Sequence, residues 1–452
     1  VRELVRRNLR FFVIVSVAAL GLRLIFLLRF PAVVTDSFIY GDIAKNWLQH
    51  GIYGFSGAGE VSPTYIRLPG YPAFLALIFS IFGIDHYRAA LVVQIFVDLG
   101  TCFLCADIAG RLFGPKASKI AFLLAALCPF LADYSAAALT ETLEVFFTVL
   151  ALNLAINASA TQRNGSWAAC GAACGGAMLL RPDGALLVVA IAIYVIATFI
   201  RDRHATVREL RLQSAILLVA VLPLCPWAVR NWLVFHRFQP LAPRYANEEN
   251  EFVPAGFNHW TKSWIADYVS VEEIYWAVPG GKIDPATLPI RAFDTLRQRE
   301  ETERVLEEYN NLLHVSPAID SMFERIAEQR VHAHPVRYYF ELPVLRILDM
   351  WLRPRTEMLP CDSRWWEFND DPKWSALAIG FGAINLAYLL CAIIGWMKFR
   401  GAPNMRLLVL FLILRSVFLG TLENPEPRYT LEMYPIVMVL AAATLVPTRK
   451  LT

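Results

Sequence analysis

The stretch FFVIVSVAALGLRLIFLLRFPAVVTDSFIYGDIAKNWLQHG, Phe11 to Gly51, sets a membrane-length apolar run directly before two aspartates. Residues 11–30 supply about twenty mostly apolar positions, the length that crosses a ~30 Å hydrocarbon core. Pro31 interrupts the run, and Asp36 and Asp42 follow. If 36–50 is helical, Asp36, Tyr40, Ile43 and Trp47 share one stripe, with Asp42, Lys45, Asn46 and Gln49 on the other side. Asp36 then lies on the face that turns toward the spans, as a helix N-cap or as a reactive carboxylate. Asp42, on the polar side, reads as a solvated, supporting residue.

The apolar pattern recurs along the chain. Of its 452 residues 56% are hydrophobic and 18% charged, against about 25% charged in a soluble protein; mean hydropathy is +0.44. Spans are expected near 11–30, 88–110, 117–134, 138–158, 166–180, 184–200, 211–235, 373–397, 405–422 and 430–447. The first continues at full length into a proline-containing loop without a small-residue cleavage site, so it reads as a span and not a signal peptide. The run 69–84 is only about fifteen residues long and begins with Pro69 and Pro72, which suits a re-entrant or interfacial helix. The expected fold is an all-α polytopic membrane protein with about ten transmembrane helices, eleven if 69–84 crosses. It comprises a core, 1–235, with a first outer loop at 31–87, then a mostly helical outer region, 236–372, and C-terminal transmembrane helices, 373–452.

Basic residues set the expected orientation. With 69–84 not crossing, one side collects Arg2, Arg6, Arg7 and Arg10; Arg111, Lys116 and Lys119; Arg163; Arg201, Arg203, Arg208 and Arg211; Lys398, Arg400 and Arg406; Arg449 and Lys450. The short connections opposite hold Arg181 and Arg428. The positive-inside rule then makes both termini cytoplasmic and puts 31–87, 134–139, 181–183, 236–372 and 423–429 outside. A cell-membrane protein with an extracytoplasmic site is expected. The net charge of +3 gives no reason to expect a nucleic-acid partner. Seven of the eight cysteines lie in apolar runs, so Cys102 and Cys105 read as small packing residues and not as a redox pair.

Within 236–372, residues 294–313 and 316–334 read as helices, the second with Ser316 as N-cap and Pro317 at its first position. Residues 335–355 form an amphipathic, aromatic-rich segment suited to a membrane surface. His332 and His334 read as a solvated helix end, not a metal pair.

The remaining polar candidates cluster at one membrane level. In SPTYIRLPGYP (62–72), Arg67 precedes a helix start and suits either a phosphate or lipid head groups. In DYSAAALTETLEVFF (133–147), Glu141 and Glu144 fall at a span end. In LLRPDGALL (179–187), Arg181 and Asp183 share a tight turn; in WAVRNWLVFHRF (227–238), Arg230 sits near a span end. In LENPEPRYTLEMYP (422–435), Glu423, Glu426, Arg428, Tyr429 and Glu432 crowd a short turn. Asp98, inside a span, is expected to pair with Arg23. Carboxylates and arginines together suit transfer from a lipid-linked phosphate: a base takes an acceptor proton while cations meet the departing charge.

The order DSFIYGDIAKNWLQHG, RLPGYPAFLALIF, LTETL, RPDG, PWAVRN and EPRYTLEMYP resembles the GT-C membrane glycosyltransferases. The likeness is to the bacterial branch with protein O-mannosyltransferases, aminoarabinose transferases and Rgt-type galacturonosyltransferases. It implies a GT-C fold, a polyprenyl-phosphate monosaccharide donor and an inverting displacement onto a hydroxyl of a lipid, glycan or protein acceptor. It implies Asp36 as base, with Tyr40 four residues on. The family's lysine before a proline pair falls on Arg67, within LPGYP, so the resemblance implies a phosphate role for Arg67, joined by Arg428. Tyr40, Tyr65, Glu141, Glu426 and Tyr429 are then expected around the sugar and acceptor, with Arg181, Arg230 and Asp42 supporting. No cofactor is required, and Asp36 with Glu141 is the pair that would share a divalent metal if one binds. The rival readings are a lipid-linked sugar transporter or flippase, and a GT-C ligase of whole glycans or protein O-mannosyltransferase.

Overall fold

The computed structural model describes residues 2–57, 59–201, 218–368, 371–402 and 404–447. Arg203, Arg208, Arg211, Arg449, Lys450 and the start of the expected span 211–235 lie outside them. The chain divides into two compact units. One comprises 1–249, 386–412 and 431–452; the other comprises 250–385 and 413–430. Two of the four boundaries fall inside long helices, Pro372–Phe399 and Met405–Gly420, so the division follows packing and not the order of spans.

A helix or helix pair occupies each of the ten expected spans as far as the described residues reach. Six are long and apolar enough to cross a membrane, seven if a bent pair counts as one span. The helices of the first unit that frame the site are α1 (Leu9–Arg29), α2 (Thr35–His50), α3 (Gly70–Phe82), α4 (Tyr87–Phe113), α5 (Pro115–Ala126), α6 (Pro129–Ser135), α7 (Glu141–Thr161), α8 (Asn164–Leu180), α9 (Ala185–Arg201) and α10 (Cys225–Phe235). The last helix, Tyr434–Thr444, is buried on every side, as its uniformly apolar sequence requires. The expected ion pair forms: Arg23 Nε donates to Asp98 Oδ2 at 2.6 Å, and its Nη1 donates to the Ala126 carbonyl at 2.7 Å. An arginine so satisfied can stay among spans without water. Cys102 and Cys105 are buried free thiols.

Two local features differ from the sequence reading, a third agrees with it, and all three shape the site end of this unit. The run 117–134 is not one helix: α5 and α6 meet at 52°. Pro129 opens α6 and Cys128 before it takes extended angles (φ −67, ψ 114), because a residue preceding proline is driven out of the helical region. Next, Val34, not Asp36, is the N-cap of α2: its N–H donates to Ser37 Oγ at 3.0 Å. Third, α3 has thirteen residues, about 20 Å of helix, too short to cross a ~30 Å core.

The loop after α2 folds into a small hairpin, β1 (Gly54–Ser56) with antiparallel β2 (Val61–Pro63). These are the strands found among the described residues, so the absence of a strand-rich domain agrees with the sequence.

The second unit is helical around a core of Phe257, Trp260, Trp264, Tyr309, Phe323 and Ile326. Its helices Leu296–Leu312 and Pro317–Ala333 start on side-chain caps, Thr295 accepting from the Gln298 N–H and Ser316 from the Ile319 N–H. Ser316 and Pro317 stand where the sequence put them. The segment 335–355 is less regular than expected: a π-helical turn at Arg337–Glu341 precedes a helix at Leu342–Leu352.

Candidate active site

The candidate site is built where the break at Pro129 returns the chain to α2. Beyond α6 the chain runs extended beside Ala32: the Ala32 N–H donates to the Ala136 carbonyl at 2.9 Å and the Ala138 N–H to the Ala32 carbonyl at 2.8 Å. This stitch joins the strand leading to Asp36 with the one leading to Glu141. Asp36 lies in the first turn of α2, where the helix dipole favours a carboxylate.

Arg67 comes to Asp36 from the segment after the hairpin, Nη2 to Oδ1 at 3.5 Å, with side chains 22% and 33% exposed. Both are therefore reachable by a ligand. The Arg67 Nε is buried without a hydrogen-bond partner, an uncommon state for a native donor. Two anchors fix the Arg67 segment. The Tyr53 hydroxyl donates to the Arg67 carbonyl at 3.0 Å. At Gly70 a Cβ would stand 2.6 Å from the Leu179 carbonyl oxygen, so only glycine lets α3 start this close to the end of α8.

That helix end presents Arg181 in an extended conformation, since Pro182 follows. Its guanidinium stands 3.7 Å from Glu141, 3.6 Å from Glu144 and 3.4 Å from Asp183. Glu141 and Glu144, one turn apart on α7, are 4% and 2% exposed. One arginine thus serves three carboxylates, so the turn-shaping Arg181–Asp183 pair forms but is part of a larger cluster.

Tyr40 lies between the two groups. Loss of solvent around its hydroxyl pushes its pKa up to about 12; Arg67 and Arg181 pull it down, Asp36 and Glu141 push it up. Its ring packs edge-on to Tyr71 at 5.2 Å. Tyr71 donates to Gln94 Oε1 at 2.8 Å, and Gln94 donates on to the Ala137 carbonyl at 2.7 Å. Gln94 is a residue the sequence reading missed; its signal was an amide inside an apolar run.

The other expected residues make contacts of their own. Asp42 closes the hairpin, accepting from the Ser56 N–H at 2.8 Å and the Ser56 hydroxyl at 2.6 Å. Tyr65 is 2% exposed and packs on Phe235 at 4.8 Å. Arg230 donates to the carbonyls of Thr64 at 2.6 Å and Tyr53 at 2.7 Å, so it braces the open end of the hairpin. In the second unit Arg428 pairs with Glu426 at 2.6 Å, and Glu426 also accepts from the Tyr429 hydroxyl at 2.6 Å. Among the described residues no group of three or more His, Cys, Asp or Glu is arranged to hold a metal ion.

Residues 63–227 match the family model for dolichyl-phosphate-mannose-protein mannosyltransferase. Among solved structures the chain resembles the archaeal oligosaccharyltransferase AglB from Archaeoglobus fulgidus in complex with an inhibitory peptide and a dolichol-phosphate. There the TM-score is 0.50 at 13% identity, over 97% of this chain and 50% of that one. The apo form of the Archaeoglobus fulgidus oligosaccharyltransferase matches at 0.52 and 14% identity, over 96% and 50%. ArnT from Cupriavidus metallidurans bound to undecaprenyl phosphate matches at 0.40 and 14%, over 96% and 77%. No curated protein matches by sequence. The chain spans about half the length of the oligosaccharyltransferases it matches. It is a multi-pass membrane protein of GT-C fold. The stretch matched by the mannosyltransferase model contains Arg67, Glu141 and Arg181, whereas Asp36 precedes it.

Proposed function

We propose that the chain is an inverting glycosyltransferase that moves a monosaccharide from a polyprenyl phosphate to an acceptor hydroxyl. The observation that carries this reading is the half-exposed Asp36–Arg67 pair with a spare buried donor on Arg67. The acceptor oxygen bonds to the anomeric carbon as the bond from that carbon to the phosphate oxygen breaks. The acceptor proton passes to Asp36. The bonding electrons leave on the polyprenyl phosphate, whose charge Arg67 meets. Arg428 already holds Glu426 and would have to trade it for phosphate, so Arg67 takes the main phosphate role. Tyr40 and Glu141 border the sugar, and Arg181 holds the acidic cluster in place. The positive-inside pattern supports a site on the outer face with cytoplasmic termini.

A transporter would need mobile polar groups at mid-membrane. The Arg23–Asp98 pair instead spends its donors inside the bundle, which favours the enzyme. The test is transfer of radiolabelled sugar from a synthetic polyprenyl phosphate to a membrane-fraction acceptor. Label that crosses vesicles without acquiring a new covalent partner would sink the reading. The sugar and the acceptor are to be read from the product by mass spectrometry.

A further inference from the structure

The second unit contains a cavity of about 360 Å³, within the range of small-molecule pockets, that the transfer reading does not use. The loop 360–364 and Phe368 form one wall, and Asp371, Trp374 and Ser375 at the start of a long helix form the other. Glu272 closes it.

The walls are held in place before any ligand arrives. Arg364 grips Glu273 through two N–H···O bonds of 2.7 and 2.8 Å, the bidentate geometry that fixes orientation. The Cys361 thiol reaches the Trp374 carbonyl at 3.7 Å, joining the two walls. Arg353 donates to the Ser363 carbonyl and lies 5.8 Å from the Trp366 ring.

Two features of this frame bear on what it can hold. Phe368 has φ +56, a left-handed conformation that costs a bulky residue and not a glycine. Its ring is nonetheless 46% exposed. Strain of this kind persists where the surroundings impose it, often at ligand sites. Glu272 is an exposed carboxylate with no hydrogen bond or ion pair among the described residues. The charge balance then selects the ligand. Arg364 is committed to Glu273 and Lys373 to Asp371, leaving Glu272 and Asp362 as the carboxylates of the lining without a cationic partner among the described residues, which disfavours phosphates and acidic sugars. Aromatic rings beside carboxylate acceptors match a pyranose: its C–H face packs on the ring and adjacent hydroxyls donate to the carboxylate.

We propose that this cavity binds one neutral pyranose unit of a glycan. The proposal goes beyond sugar transfer and is measured without it. The full-length protein in detergent is titrated with methyl α-D-mannopyranoside and methyl β-D-galactopyranoside, read by saturation-transfer NMR, with methyl galacturonate and spermidine as charged comparisons. Saturable binding of a neutral glycoside is expected, weakened at least tenfold by Phe368→Gly and by Glu272→Ala. Phe368→Gly should keep or raise the melting temperature, because glycine takes φ +56 without strain; Glu272→Ala changes an exposed residue and serves as the second, fold-neutral variant. Three results overturn the proposal: no saturable neutral-glycoside binding by the unaltered chain, wild-type binding by both variants, or preference for spermidine or galacturonate. Asp36→Asn should bind the glycoside normally. Transfer by a chain that fails the binding test overturns the subsite and leaves the enzyme reading standing.

Discussion

Arg67 Nη2 stands 3.5 Å from Asp36 Oδ1 although 31 positions separate the residues in the chain. The contact is neither fully buried nor fully solvated, so each group can exchange its partner for a substrate. A purely structural pair would gain little from such exposure, since exposed ion pairs contribute about 0–1 kcal/mol. Asp36→Asn keeps the shape and removes the base. Turnover should fall by roughly 10²–10⁴-fold, with polyprenyl-phosphate affinity changed little. Wild-type turnover by Asp36→Asn would refute the assignment.

Arg67→Gln should weaken binding of undecaprenyl phosphate, measured by displacement of a fluorescent analogue in detergent. Arg67→Lys should recover part of the affinity but less of the rate, because an ammonium carries the charge without the fork of donors. Equal affinity in Arg67→Gln and the unaltered chain would move the phosphate site elsewhere.

Arg181 tests the acidic cluster. Arg181→Met leaves Glu141 and Glu144, both nearly inaccessible, without their shared cation. Removing one partner of a buried ionic group costs on the order of 3 kcal/mol. A clear drop in thermal stability is expected, partly reversed by Glu144→Gln in the same chain. Full stability in Arg181→Met would show that the cluster does not depend on Arg181.

Arg230 donates to the residues that flank both hairpin strands, Tyr53 before β1 and Thr64 after β2. Arg230→Lys cannot span two carbonyls in the same plane, and losing such charge-assisted bonds costs on the order of 2 kcal/mol. Faster proteolysis within 51–64 should appear before any global unfolding. Unchanged cleavage would remove the bracing role.

Asp349 in the second unit gives a pH test. Burial raises its pKa to about 6, against the opposing pull of Arg353 and the Tyr268 N–H. The folded state therefore holds the proton more tightly than the unfolded chain, whose value is near 3.9. The stabilising contribution is full below about pH 4 and is lost as pH rises through about 6. Asp349→Asn should flatten the stability profile across that window, measured by thermal melts. An unchanged slope would refute the shift.

The spans were legible because apolar length is a strong one-dimensional signal, and the pairing of Arg23 with Asp98 followed from two charges that had to meet. Asp36 and Arg67 were legible as candidates from residue type and position. Less visible was what each supporting residue does. Asp42 and Arg230 act on backbone groups of the hairpin, and Tyr65 is core, because those roles depend on where the chain folds back. The bend before Pro129 was readable in principle, but the surrounding apolar run masked it. Residue type also allowed Asp36 as a cap, whereas Ser37 and Val34 settled the helix start between them.

The stitch between Ala32 and residues 136–138 is made by main-chain atoms alone. Ala136, Ala137 and Ala138 are fully buried, so a larger side chain at any of them would crowd the stitch, and the loss of an N–H, as in Ala32→Pro or Ala138→Pro, would cut it. The common origin of the two acid-bearing helices thus rests on main-chain pairing seated among small residues, which ties the spacing of Asp36 and Glu141 to packing and not to any one side-chain contact.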